Sequence, residues 1–470
     1  PWLLSEVGAR YFAGYMPFQT MTVGGQTRAG GDATNAMTLM LLDCVRELQL
    51  YQPGAAARVH NASPQEYLER CVDVIETGCG FPALYYDDAT IRMLMSKGIA
   101  REDALDYCIM GCVEPQVQGR LYQWTSVCYT NFPAAVEFAL LNGRSRVLGE
   151  VVGVETGDPT AFATFEEFEA AVKQQIAYLT RVCAELTNLA MRAHRQSLPK
   201  PLMSSLVEGC VESGKDVMYG GAKYNSNGSS GVGCANVVDS LAVIKYMVFD
   251  KKIVTARELY DAIMKNWEGH ESLRQRILNE VPRYGNDNPY TDELARESME
   301  IFASAFLKGT GDRGNQWQVG IYPVSTHVVN GRRTWATPDG RLAREALAEG
   351  VSPKQGLDKN GPAAVLKSVA AINHSTFRNG TLLNMKFHPA TVQGDEGVKK
   401  LRMLVETFFS LGGMHLQYNV VGGDQLREAQ TDPEKYKNLV IRIAGFSAYF
   451  VELDHSLQND LISRTDQLVG

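Results

Sequence analysis

Helical patterns of apolar residues alternate with short β-like runs along this 470-residue chain, and this alternation constrains its fold more than any other feature. Helical spacing is found in residues 34–50, 63–78, 87–97, 100–107, 132–142, 164–198, 237–249, 254–267, 271–280 and 291–307. Residues 317–324 and 415–421 have the composition of strands. The alternation predicts an α/β protein, built either as an α/β barrel or as a doubly wound sheet.

One long segment lacks this regularity. Residues 330–362 are rich in Gly, Pro and charged side chains and have neither helical nor strand periodicity. Such a segment predicts a domain boundary or a long surface loop.

Charge and apolar content exclude several classes of protein. The 46 Lys and Arg residues are outnumbered by 53 Asp and Glu residues, with both signs interspersed, so we expect no nucleic-acid partner. No apolar run approaches the roughly 18 residues of a membrane span, and no export signal is visible, which predicts a cytoplasmic protein without a membrane partner. Nine irregularly spaced cysteines indicate reduced thiols. Because the chain begins at Pro1 rather than Met, we expect an upstream part to be missing.

The first candidate for chemistry is the segment Gly111-Cys-Val-Glu-Pro115, which follows a predicted helix. If the segment is extended, Cys112 and Glu114 point to the same side and can serve one substrate, the thiol as radical or nucleophile and the carboxyl as acid or base. A buried cysteine is more often an inert small apolar side chain, so the segment alone is weak evidence.

The second candidate is a glycine inside an apolar run, Val440-Ile-Arg-Ile-Ala-Gly445-Phe-Ser-Ala-Tyr-Phe450. A turn that needs a positive φ explains such a glycine in most proteins. The functional alternative is a Cα that loses a hydrogen atom, because the resulting radical is delocalised over the two flanking amides and a side chain would crowd that planar geometry.

Together the two segments resemble the glycyl radical enzymes, the family that includes pyruvate formate-lyase. Residues 442–446, Arg-Ile-Ala-Gly-Phe, are similar to the family's radical motif RVxGY or RVxGF, with Ile443 in place of Val. Further similar stretches are residues 31–35, 52–60, 337–341 and 411–420. The resemblance covers essentially the whole chain, which looks like the C-terminal portion of the longer family sequences.

The resemblance implies a ten-stranded α/β barrel with two loops meeting inside it, one carrying Cys112 and the other Gly445. Residues 1–345 are expected to form the C-terminal part of the barrel, and residues 346–470 the glycine radical domain. A separate activating enzyme, which uses S-adenosylmethionine and an iron–sulfur cluster, is expected to remove a hydrogen atom from Gly445. The glycyl radical then oxidises Cys112 to a thiyl radical, which abstracts hydrogen from the substrate. No bound cofactor is implied, and the protein is expected to be a homodimer.

Within the family, the pattern Cys-Val-Glu resembles the eliminases rather than pyruvate formate-lyase, which uses two adjacent cysteines. The eliminases cleave small hydroxylated molecules such as diols, choline, hydroxyproline and hydroxy-sulfonates, and Glu114 is expected to act as the base on the substrate hydroxyl. Phe18, Thr125 and Tyr129 are the expected substrate-binding residues. The family's arylacetate decarboxylases and its aryl- and alkylsuccinate synthases remain alternatives.

Two hypotheses from other classes also remain. One is an α/β-barrel hydrolase that uses carboxylates such as Glu114 and Asp339, and the other is an inactive fragment. A metal enzyme is disfavoured, because the eight histidines are scattered without the spacing of metal ligands.

Overall fold

The structure, a computed structural model, describes residues 19–468 and confirms the α/β prediction. Its α-helices are Ala36–Leu48, Gln65–Glu76, Asp87–Ser96, Arg101–Leu105, Phe132–Leu140, Phe165–Ser197, Pro201–Ser205, Cys210–Ser213, Cys234–Val243, Ala256–Met264, Glu271–Glu280, Pro289–Leu307, Thr326–Arg332, Pro362–Ala370, Pro389–Val392, Gly394–Ser410, Gly423–Thr431 and His455–Ser463. Three short 3-10 helices (Val217–Tyr219, His374–Thr376 and Phe450–Glu452) and a π-helix (Ile244–Asp250) complete the helical segments. Each helix predicted from the sequence lies at its expected place, with ends that differ by a few residues.

Between residues 19 and 468 the strands form two larger sheets and two separate hairpins. They are β1 (Thr20–Gly24), β2 (Gly54–Val59), β3 (Ala83–Tyr86), β4 (Tyr107–Met110), β5 (Glu114–Val117), β6 (Leu121–Trp124), β7 (Tyr129–Asn131), β8 (Tyr224–Val232), β9 (Trp317–Ile321), β10 (Asn384–Phe387), β11 (His415–Val420), β12 (Val440–Arg442), β13 (Ser447–Tyr449) and β14 (Asp466–Gln467). The two strands predicted from the sequence are confirmed as β9 and β11.

The first sheet has the order β1-β2-β3-β11-β10-β14. Strands β1, β2 and β3 are parallel to one another, as are β11, β10 and β14, and the two groups meet at the antiparallel pair β3–β11. In the second sheet the long strand β8 pairs in parallel with β6, β7 and β9. Residues 379–382 bond to β9 and lead directly into β10, so the two sheets form one continuous wall.

The longest helix packs on neighbouring helices and contacts β7 of the second sheet. Thr164 caps Phe165–Ser197 by accepting a hydrogen bond from the backbone N–H of Glu167, as expected of a Thr N-cap. Its buried residues recur along one face and pack against the helices Phe132–Leu140 and Pro289–Leu307. Within residues 19–468, none of the helices combines the length and the hydropathy that crossing a membrane demands.

The segment predicted to be a boundary or a long surface loop is irregular but not a surface loop. No helix or strand lies between Arg332 and Pro362, yet Thr337, Asp339 and Arg341 are fully buried. The Arg341 guanidinium donates to the backbone carbonyls of Leu342 and Glu345. Polar side chains thus satisfy the backbone of a buried irregular segment, which a composition argument cannot detect.

Candidate active site

The candidate cysteine lies at the tip of a β-hairpin. Strands β4 and β5 pair antiparallel with Met110 opposite Glu114, so residues 111–113 form the loop. Gly111 has a φ of 65°, a left-handed conformation that favours glycine. Because the chain reverses at Cys112, the same-side argument for an extended segment does not apply here. The tip is buried, with Cys112 only 2% exposed, and the Tyr85 hydroxyl donates to the Cys112 carbonyl at 2.7 Å.

The Glu114 carboxylate folds back onto this tip. Its Oε2 accepts hydrogen bonds from the backbone N–H groups of Cys112 at 2.9 Å and Val113 at 2.8 Å. Its Oε1 accepts from the Thr125 hydroxyl at 3.1 Å and from the Ser126 hydroxyl at 3.4 Å. Burial raises the pKa of the Glu114 carboxyl, although the amides and the Thr125 hydroxyl act in the opposite direction. A carboxyl with this environment is suited to proton transfer.

The candidate glycine lies at the tip of a second hairpin. Strands β12 and β13 pair with Arg442 opposite Ser447, and the N–H of Ile443 donates to the carbonyl of Phe446 at 2.9 Å. Gly445 has a φ of 90°, which L-residues with side chains rarely adopt. The turn explanation for this glycine therefore holds, but it does not account for what the tip contacts.

The two hairpin tips touch each other. A Cβ added to Gly445 lies 2.5 Å from Cys112 Sγ and 2.6 Å from Cys112 Cα, far inside van der Waals contact. The fold thus brings together two residues that are 333 positions apart in the sequence, and only a residue without a side chain fits at position 445. Hydrogen-atom transfer needs such direct contact between the donor and acceptor atoms.

The thiol is held neutral. Burial, and secondarily the neighbouring Glu114 carboxylate, raise the pKa of Cys112 well above its usual value, while the Arg442 guanidinium opposes this. A thiolate nucleophile requires a lowered pKa, so this environment disfavours ionic cysteine chemistry. It preserves the S–H bond, the form that donates a hydrogen atom.

Two of the expected substrate-binding residues, Thr125 and Tyr129, lie near the Glu114 carboxylate. Thr125 binds Glu114 directly, whereas Tyr129 hydrogen-bonds with Ser126 and its pKa is raised by burial and by the nearby Cys112 and Glu114. Phe18 lies outside the described residues. Sequence reasoning missed Tyr322, whose buried hydroxyl donates to the Thr125 carbonyl at 3.0 Å and lies 3.2 Å from the Ser126 hydroxyl. The sequence signal for Tyr322 was its position near the end of the predicted strand 317–324, together with its hydroxyl group.

Asp339 has a different environment. It accepts a hydrogen bond from the Asn236 amide at 2.8 Å and lies 3.5 Å from the Lys354 ammonium. Within residues 19–468 it shares no hydrogen-bond partner with Glu114, so the contacts give no support to a hydrolase that pairs these carboxylates. The same part of the chain contains no group of three or more His, Cys, Asp or Glu side chains that could hold a metal ion.

The structure thus places a neutral cysteine thiol in contact with the Cα of a glycine in an α/β fold. This is the arrangement expected of a glycyl radical protein. Comparison with known families agrees: residues 1–331 match the family described as "Pyruvate formate lyase-like", and residues 347–451 match "Glycine radical". The chain belongs to the pyruvate formate lyase-like family.

Similar proteins include dehydratases and lyases. The chain is 37% identical to the trans-4-hydroxy-L-proline dehydratase of Clostridioides difficile, over 96% of this chain and 57% of that protein. It is 39% identical to the isethionate sulfite-lyase of Bilophila wadsworthia (strain 3_1_6), over 98% of this chain and 56% of that protein. The solved structure of the glycerol-bound, B12-independent glycerol dehydratase of Clostridium butyricum superposes with a TM-score of 0.95 at 39% identity, over 99% of this chain and 59% of that one. The chain thus spans a little over half the length of these relatives.

Proposed function

We propose that the protein is a glycyl radical lyase that eliminates a leaving group from a small hydroxylated molecule. The observation that carries the proposal is the contact between Gly445 and the Cys112 thiol, with the Glu114 carboxylate bonded to the same loop. The chain's similarity to dehydratases and to a sulfite-lyase supports elimination as the reaction class.

The proposed reaction begins at Gly445. A separate activating enzyme, using S-adenosylmethionine and an iron–sulfur cluster, removes one hydrogen atom from its Cα. The glycyl radical takes the hydrogen atom of the Cys112 thiol, and the resulting thiyl radical takes a hydrogen atom from the substrate carbon that bears the hydroxyl. Glu114 accepts the hydroxyl proton, and the substrate radical expels its neighbouring group with both bonding electrons. The product radical then regains a hydrogen atom from Cys112, so the thiyl radical is restored.

The surroundings of Glu114 support a hydroxylated substrate. Thr125, Ser126, Tyr129 and Tyr322 present hydroxyl groups beside the carboxylate, and these are suited to hydrogen-bond a small polar molecule. Elimination requires a base that accepts the proton of the substrate hydroxyl, and the buried Glu114 carboxylate next to Cys112 can fill this role. Arylacetate decarboxylation and addition to fumarate require no proton acceptor for a substrate hydroxyl. We therefore favour Thr125 and Tyr129 as substrate-binding residues; Phe18 stays a prediction.

The remaining expectations about organisation are proposals as well. We propose that the continuous wall belongs to a ten-stranded barrel, that residues 1–345 contribute to this barrel and that residues 346–470 form the glycine radical domain. Paired segments run from β8 to β9, from β9 to residues 379–382 and the adjoining β10, and then through β11, β3 and β2 to β1, and this run supports the barrel. The activating enzyme, a small-molecule substrate and a second copy of the chain in a homodimer are the proposed partners.

The test uses the complete gene product with its activating enzyme under anaerobic conditions. Diols, choline, hydroxyproline and hydroxy-sulfonates are screened for release of water, trimethylamine or sulfite. Cys112→Ser and Glu114→Gln are expected to abolish turnover while the glycyl radical still forms. Cys108→Ser is the matched control, because Cys108 lies on the same hairpin and its partly buried thiol contacts no other site residue in the described hydrogen bonds. Turnover that persists in Cys112→Ser or Glu114→Gln refutes the role given to that residue.

A further inference from the structure

Three side chains form hydrogen bonds with the backbone of Arg442 and Ile443, shortly before Gly445. The Ile443 carbonyl accepts hydrogen bonds from the Asn384 amide at 2.9 Å and from the Arg464 guanidinium at 2.7 Å. The preceding residue, Arg442, exchanges two backbone hydrogen bonds with the Asn419 side chain, at 2.6 and 2.8 Å. We name Asn384, Asn419 and Arg464 the carbonyl clamp.

The members of the carbonyl clamp come from separate parts of the fold. Asn384 begins β10, Asn419 lies on β11, and Arg464 follows the helix His455–Ser463. The glycine hairpin itself supplies only three paired residues on each strand, so its own ladder gives the tip little support. The position of Gly445 therefore depends on groups outside the hairpin.

Arg464 is itself fixed by a buried carboxylate. Its Nε and Nη2 both donate to Asp460 Oδ2, at 3.3 and 2.9 Å. The same oxygen lies 3.1 Å from His327 Nε2, and Asp460 Oδ1 accepts from the Gln355 amide at 2.6 Å. Arg464 and Asp460 are at most 8% exposed, so this chain of bonds is shielded from water. The planar guanidinium holds the carboxylate through Nε and Nη2 and the Ile443 carbonyl through Nη1, in a rigid fork geometry that the single nitrogen of a lysine ammonium does not reproduce.

We propose that Arg464 is a positioning residue that, through the Ile443 carbonyl, keeps the Gly445 Cα in contact with the Cys112 thiol. This inference rests on the proposed function, because the contact has a chemical role only if a hydrogen atom passes between the two residues. Ile443 is two residues from Gly445, so losing a hydrogen bond there lets the tip shift. A displacement of about 1 Å in a reacting pair slows reaction on the order of 100-fold.

The test compares Arg464→Lys with the activated wild-type protein in D2O under anaerobic conditions. Reversible transfer between Gly445 and the deuterated Cys112 thiol places deuterium on Gly445, which collapses the doublet of its electron paramagnetic resonance signal into a narrower line. The rate of collapse therefore reports the Gly445–Cys112 step without any substrate. We expect collapse and kcat per radical to fall on the order of 10- to 100-fold in Arg464→Lys, with KM unchanged.

Two further variants make the result interpretable. Arg427→Lys is the control, because Arg427 is exposed and its ion pair among the described residues is with the surface residue Asp424, and its collapse rate should equal that of the wild type. Asn384→Ser removes the other donor to the Ile443 carbonyl and should slow collapse as well, which provides a second test if Arg464→Lys does not fold. Wild-type collapse rates in a folded clamp variant overturn the inference. Absence of any radical in the wild-type protein, with a competent activating enzyme, instead overturns the proposed function.

Discussion

The hydrogen bond from Thr125 to Glu114 offers a quantitative test of the proposed base. The Thr125 hydroxyl donates to Glu114 Oε1 at 3.1 Å, and this bond lowers the pKa of a carboxyl that burial has raised. Thr125→Val keeps the shape of the side chain but removes the donor. The pKa of Glu114 must then rise further, because the ionised form loses more stabilisation than the neutral form.

The size of the effect follows from the energy of the bond. A buried hydrogen bond to a charged group contributes about 1.5–3 kcal/mol, and about 1.4 kcal/mol corresponds to a factor of ten in the ionisation equilibrium. On the acid side of the pH profile, the ionised fraction of Glu114 should fall about 10- to 100-fold in Thr125→Val. A base must be ionised to accept the substrate proton, so the acid limb of kcat/KM per radical should move to higher pH by the same factor, in addition to any pH-independent loss from a missing substrate contact.

The assay is the pH dependence of kcat/KM, normalised to the radical content of each sample. Thr125→Ser is the matched control, because it retains a hydroxyl that can donate to Glu114, and its acid limb should coincide with that of the wild type. An acid limb that stays at the wild-type pH in Thr125→Val refutes the assignment of Glu114 as the titrating base.

Two more predictions concern stability and thiol reactivity. Asp87→Asn breaks a buried pair in which both carboxylate oxygens lie 2.9 Å from the Arg58 guanidinium, so the free energy of unfolding in a urea titration should fall by about 3–5 kcal/mol. A loss below about 1 kcal/mol contradicts this account. Cys128 is half-buried, and hydrogen bonding with Cys183 and with the Thr187 hydroxyl, which lies 3.3 Å from its Sγ, lowers its pKa. Iodoacetamide at neutral pH should therefore modify Cys128 before Cys112, as mass spectrometry can establish, and the reverse order contradicts the burial argument.

Much of the fold could be predicted from local sequence patterns. The helices were predictable because each buries one face, and apolar residues at helical spacing record that face in the sequence. The central strand β8 was missed because its sequence, Tyr-Asn-Ser-Asn-Gly-Ser-Ser-Gly-Val, is mostly small and polar, with Val232 at its end as the one branched apolar residue. Its small residues are needed because neighbours pack onto its backbone: a Cβ on Gly231 lies 2.9 Å from the Phe302 ring. Tertiary contacts of this kind override strand propensity.

The residues at the two hairpin tips of the candidate site could be predicted from the sequence, but the residues that hold these tips in place could not. Cys112, Glu114 and Gly445 lie in short motifs that resemble those of the glycyl radical enzymes. The residues that hold them, such as Tyr322, Asn384 and Arg464, are polar residues with no local pattern, and only the fold brings them to the hairpins. The burial of the segment around Asp339 could not be predicted for the same reason, because its composition resembles that of an exposed loop.

The most direct test of the central claim is anaerobic electron paramagnetic resonance on the complete gene product after treatment with its activating enzyme and S-adenosylmethionine. We predict a doublet from a radical with one remaining α-hydrogen, absent in Gly445→Ala, where the added Cβ collides with Cys112. No doublet from the wild-type protein, with an activating enzyme shown to be competent on another target, would contradict the account and leave Gly445 as a turn glycine.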